Sequence, residues 1–166
     1  MKNSKSTKAV TRAAVIATLY VILTELSTLM GLSSGVIQVR FSEALTVLPF
    51  FTPVAIPGLF IGCIISNLLA GGALLDVVFG SIATLIGAFG TYLFRKRSIY
   101  IAPIFPILAN TLIIPHILKL VYGFEGTVLY FTSTVFAGEV ISCAALGIPL
   151  MMLLKKRKEL LGLIVG

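Results

Sequence analysis

Long apolar runs alternate with short polar clusters along the whole chain. The first run predicts a helix over about residues 9–30. It is closed by the loop GLSSG and the polar stretch QVRFSE. The apolar region from Ala44 to Gly72 is too long for one straight span, and its middle reads PFFTPVAIPG. Proline removes a backbone donor and disfavours helix in the residue before it. The region therefore divides into a short helix at about 42–50 and a full one at about 54–70. Later runs predict helices at about 74–94, 99–121 and 127–154. The fifth of these six helices is interrupted by Pro103, Pro106 and Pro115.

Composition makes this pattern a membrane pattern. Of 166 residues, 58% are apolar and only 11% charged, less than half the charged share of an average soluble domain, about 25%. Mean hydropathy is +1.08. A soluble chain needs polar surface to cover its core, and this one lacks it. The expectation is an all-α integral membrane protein, a single transmembrane domain over residues 1–166. Its second helix is too short to cross a hydrocarbon layer of about 30 Å, so it must be shielded from lipid by protein.

Charge sets the expected topology. The net charge of +7 is gathered in three clusters: Lys2, Lys5, Lys8 and Arg12; Arg95, Lys96 and Arg97; Lys155, Lys156, Arg157 and Lys158. They punctuate apolar runs, which argues against nucleic acid and for positive-inside anchors. Six helices place all three on the cytoplasmic side of the plasma membrane, with both termini inside; five do not. The stretch from Ala13 to Leu32 exceeds the apolar core of a signal peptide, about 7–15 residues, and reads as a retained first span. Cys63 and Cys143 lie inside apolar runs and read as packing residues, with no disulfide or metal expected.

Ionisable groups in a span are costly, roughly 2.5–3.5 kcal/mol each on insertion scales. The chain nonetheless keeps several near spans. In the inferred topology Gln38, Arg40 and Glu43 sit at the first outer loop and the start of the second helix. Asn67 and Asp76 lie near outer helix ends, and Asn110 and Glu139 near mid-depth. These polar groups converge on the outer half, while the inner half is apolar. A channel needs polar lining throughout; an outward-facing ligand cup fits better. Two carboxylates and two carboxamides suit a polar, partly cationic ligand. Each residue also has a plainer reading: Asp76 as a helix N-cap, Glu43 as a partner for Arg40, Asn67 and Asn110 as interhelical hydrogen bonds. His116 and Lys119 read as a turn residue and an interfacial anchor, and Glu25 has no assigned role.

Ala9, Ala13 and Ala17 recur every four residues on one face of the first helix. Such a stripe admits close approach of another helix, a partner's or this bundle's own. Gly58 and Gly62 repeat the spacing, where internal packing is the simpler account. The chain carries no GxxxxGK[ST], HExxH or CxxC motif, so neither ATP hydrolysis by a P-loop nor an enzyme of those kinds is expected.

The stretch IQVRFSEALTVLPFFTPVAIPGLFIGCIISNLLAG, followed by LLDVVFGSIATLIGA, ILANTLIIP and GEVI, resembles the QueT family, substrate-binding S-components of energy-coupling factor (ECF) transporters. The resemblance implies a six-helix S-component bundle with a ligand pocket near the outer surface. It implies uptake of a queuosine precursor, the aminomethyl-deazaguanine base. It also implies a transmembrane coupling subunit with two ATPase subunits, which use the ATP; this chain needs no cofactor. Ala13 and Ala17, with Ala9 one step earlier, match the family's docking face. Two alternatives remain at this point: an S-component for another vitamin, such as thiamine or riboflavin, and a structural membrane subunit without a ligand.

Overall fold

The computed structural model describes residues 2–33, 37–123 and 125–157, together with Glu159 and Gly162, and the side chains from Ser6 onward. Ser34 and Gly35 of the first loop, Lys158 and the side chains of Lys2 and Lys5 lie outside the described residues. The chain is all-helical over these residues. Helix α1 spans Lys2–Leu29, a 3-10 helix Phe41–Phe50, α2 Ala55–Leu69, α3 Leu74–Leu93 and α4 Ile104–Leu120. Helix α5 (Val128–Glu139) runs through a π-helical segment, Val140–Leu146, into α6, Gly147–Lys156.

The protein is a membrane protein. Among the described residues three helices are long and apolar enough to cross a bilayer: Ser6–Leu29, Leu74–Leu93 and Val128–Lys156. Large apolar side chains such as Leu29, Leu74, Leu120 and Leu129 point outward along the bundle, as lipid contact requires. Helices α2 and α4 are shorter, at 15 and 17 residues. The fifth helix was expected from about residue 99, but residues 99–103 form turns and α4 begins at Ile104. Pro103 and Pro106 are the cause, because neither supplies a helical backbone donor.

The 3-10 helix is the centre of the bundle. Ser42 to Pro49 are all buried, which is how so short an apolar segment avoids lipid. Its first backbone donors have no partner within the helix, and neighbouring helices supply them. Ser27 Oγ of α1 accepts from Phe41 N at 2.8 Å. Ser142 Oγ of the π segment accepts from Arg40 N at 3.1 Å. Leu45 and Leu48 pack with Ile16, Tyr20 and Leu59 in the main core.

Helices α1 and α2 meet through small residues. A Cβ added at Gly58 would stand 2.7 Å from the Ala13 carbonyl oxygen, and one at Gly62 would stand 2.8 Å from Tyr20 Cβ and 3.0 Å from the Ala17 carbonyl oxygen. Gly58 and Gly62 thus pack internally. The face of α1 carrying Ala13 and Ala17 is the one they contact, and Ala17 is buried. In this structure the backbone of Ala13 and Ala17 lies against α2, and Ala13 is half-buried. Ala9, one turn earlier, is half-buried.

Chain direction brings the basic clusters together. Leu150 and Leu154 of α6 share a groove with Lys8 and Arg12 of α1. Ile99, just after the second cluster, packs around Val47, Ala102 and Met151. The polar residues of the loops and helix ends gather at the opposite end.

Candidate functional site: an acidic and amide-lined cavity

A cavity of about 420 Å³ opens at that polar end, within the range of small-molecule sites. Gln38, Arg40, Glu43, Asn67, Asp76, Asn110 and Glu139 all line it. They arrive from five different segments, so no local motif could have announced the grouping. The first turn of the 3-10 helix supplies Glu43, the end of α2 Asn67, the start of α3 Asp76, the middle of α4 Asn110 and the end of α5 Glu139.

Glu43 is 4% exposed. Its Oε1 accepts from the Tyr20 hydroxyl of α1, while Oε2 has no hydrogen-bond partner among the described residues. Glu139 closes α5. Its Oε2 accepts from the Cys143 thiol at 3.2 Å, and Asn110 lines the cavity beside it. Carboxylate oxygens of Glu43 and Glu139 and the Cys143 sulfur lie within 4.8 Å of one another. The π-helical segment begins one residue after Glu139, and π turns inside α-helices often mark sites. Two acidic groups this close are mutually repulsive unless a proton or a cation stands between them.

The other polar groups form a second cluster. Arg40 Nη1 donates to Asn67 Oδ1 at 3.2 Å, and Asn67 Nδ2 donates to Cys63 Sγ at 3.4 Å. Arg40 therefore turns to Asn67, and its guanidinium is not simply a mate for Glu43. Asp76 is not the N-cap of its helix. Ala73 holds that position without a side-chain cap bond, and Asp76 sits in the first turn, where the helix dipole favours its charge. Its Oδ2 accepts from the Tyr122 hydroxyl at 2.9 Å, and that hydroxyl accepts from Ala73 N at 3.2 Å. Partial burial, with Asp76 alongside, raises the pKa of Tyr122 above the ordinary tyrosine value.

Sequence reasoning missed Tyr20, Cys63, Thr84, Tyr122 and Cys143. Both cysteines are buried, and they are wired into the polar network rather than only packed. Thr84 Oγ1 donates to Cys63 Sγ at 3.3 Å, and Thr46 Oγ1 lies 3.5 Å from Cys143 Sγ. The available signal for Cys143 was its i+4 spacing from Glu139 on one helix. His116 and Lys119 are exposed and off the cavity. Glu25 is half-buried, with Oε1 unpartnered.

The QueT transporter family matches residues 10–156. The chain belongs to the QueT transporter family. A queuosine precursor transporter QueT from Lactococcus lactis subsp. cremoris (strain MG1363) is 44% identical to it over 86 residues. That stretch is 52% of this chain and 50% of the relative, so the match spans about half of the relative's length. No solved structure matches the chain.

Proposed function

We propose that this QueT family protein is the substrate-binding membrane subunit of an ATP-driven ECF-type importer, and that its ligand is a queuosine precursor, a 7-deazaguanine base carrying an aminomethyl group. The observation that carries the reading is the cavity. Carboxylates, carboxamides and one guanidinium from five segments line a single small-molecule-sized space at one end of the bundle. The Lactococcus lactis relative is a queuosine precursor transporter by name.

Glu43 and Glu139 accept from donors on the ligand, and Asn67 and Asn110 read the edge of the base. Asp76 and Tyr122 stand at the rim. Arg40 and Gln38, on the segment that leads into the 3-10 helix, hold the cover of the cavity. The half carrying the basic clusters faces the cytoplasm by the positive-inside rule, which opens the cavity to the outside. Transport then requires the loaded bundle to reorient on a coupling subunit, driven by ATP hydrolysed in two partner ATPase subunits. Equilibrium binding of a panel of deazaguanine bases and vitamins to the purified chain tests the reading. Tight binding confined to the deazaguanines is expected; preference for thiamine or riboflavin, or no binding at all, would refute it.

A further inference from the structure

We infer that Glu43 and Glu139 form a seat for an ammonium group at the base of the cavity, and that this seat makes the protein select a cationic aminomethyl ligand over its neutral nitrile counterpart. The inference deepens the deazaguanine reading above and rests on it.

Three observations lead there. First, the two carboxylates come from segments 96 residues apart and still place oxygens within 4.8 Å of each other. Charged N–H···O bonds run about 2.7–2.9 Å. One ammonium nitrogen therefore bridges oxygens that far apart, donating to both. Second, Glu43 is 4% exposed and lines the cavity with Oε2 unpartnered. A buried acceptor left without a donor is rare in folded proteins. Its other oxygen is already held by Tyr20, which fixes the carboxylate. Third, Arg40, the basic side chain lining the cavity, donates Nη1 to Asn67 and reaches Glu43 and Glu139 through its field rather than through a hydrogen bond. The direct donor between the two carboxylates comes from the ligand.

The same three groups have the composition of a small metal site, so a divalent ion is the competing occupant that the experiment must separate. Cys143 Sγ lies 3.2 Å from Glu139 Oε2, a spacing that a thiol donating to a carboxylate fills. An ammonium needs only acceptors, and the carboxylates supply them. Tyr20 from α1, Arg40 ahead of the 3-10 helix, Cys63 from α2, Asp76 from α3, Tyr122 after α4 and Cys143 from the π segment are the other titratable groups around this space among the described residues. Asp76 is tied to Tyr122 at the rim, which leaves Glu43 and Glu139 as the charged pair at the base.

The discriminating experiment compares two 7-deazaguanine bases that differ only in the 7-substituent, aminomethyl or cyano. Binding to the purified full chain is measured by calorimetry, with and without a divalent-metal chelator. The expected result is at least 100-fold tighter binding of the aminomethyl base, unchanged by the chelator. In Glu139→Gln the aminomethyl base should weaken by tens-fold or more, with the cyano base within about 3-fold of the unaltered chain. Retained cyano binding reports that the variant is folded; Glu43→Gln supplies the second variant and should lose the same preference. Equal affinity for the two bases would overturn the seat while leaving the deazaguanine reading standing. So would a preference that survives both substitutions, loss of both bases in both variants, or an affinity that collapses with the chelator. Failure of both bases to bind the unaltered chain would overturn the reading of the pocket and the seat with it.

Discussion

The Tyr20 hydroxyl of α1 donates to Oε1 of Glu43 on the 3-10 helix, joining the first helix of the bundle to the acidic base of the cavity. Tyr20 is completely buried among Ile16, Leu48 and Leu59, so its ring is part of the core while its oxygen belongs to the site. Packing and ligand chemistry meet in that one side chain.

Removing the hydroxyl separates the two roles. In Tyr20→Phe the ring still fills its place, and Glu43 loses its donor. An acceptor stranded in a buried site costs about 1–3 kcal/mol, more when charged. Tyr20→Phe should therefore lower the thermal unfolding midpoint in detergent, and added aminomethyl base should recover part of the loss. A midpoint equal to that of the unaltered chain would show that Glu43 finds another donor.

Topology is tested by labelling. Cys63 and Cys143 are both buried, so an impermeant thiol reagent should report only on introduced cysteines. Asn3→Cys, Arg97→Cys and Lys158→Cys should each react from the cytoplasmic side alone. Reaction of residue 97 from outside would break the six-helix topology and turn the cavity inward.

Tyr122 gives a pH signature. Its pKa is raised in the folded protein by partial burial and by Asp76, so at alkaline pH the folded state holds the proton more firmly than the unfolded chain does. The stabilisation is complete below the unfolded value, about 10, and is lost as pH rises through the folded value. Tyr122→Phe should flatten the decline in thermal midpoint above about pH 10. An identical decline in both proteins would assign the alkaline loss to other groups.

The sequence carried the outline of the bundle because prolines and charges are unambiguous punctuation. Pro49, Pro53 and Pro57 marked the break between the 3-10 helix and α2, and the depth of Glu139 made its carboxylate conspicuous. What it did not carry was pairwise. Small residues at four-residue spacing announce that something approaches closely, and Ala13 and Ala17 announce it without saying what. The structure supplies Gly58 and Gly62. Tyr20 was invisible as a site residue because a tyrosine in an apolar run has no periodic mark of its partner. The π segment after Glu139 was equally silent, since VISCAAL has nothing to distinguish it from an α-helical run. Its position follows from packing: Ser142 bonds the entry of the 3-10 helix, and Gly147 stands against Val47.

The placement of Ala17 turns the docking expectation into a sharp contrast between two neighbouring positions. Ala17 is buried, and its carbonyl oxygen and Cα lie 3.0 and 3.1 Å from a Cβ built on Gly62. An indole there has no space unless α1 and α2 separate. Even single extra methylenes in a packed core cost about 1–3 kcal/mol. Ala17→Trp should therefore lose monodispersity on size exclusion and lose ligand binding in the isolated protein, before any partner is considered. Ala14 lies three residues earlier and is exposed. Ala14→Trp should remain folded and bind the base with unchanged affinity. If α1 meets a coupling subunit through its outward face, Ala14→Trp should abolish co-purification with that subunit and stop uptake in cells. A folded, ligand-competent Ala17→Trp protein that fails only to assemble would instead restore the alanine stripe as the docking face, and would require α1 to swing away from α2 in the complex.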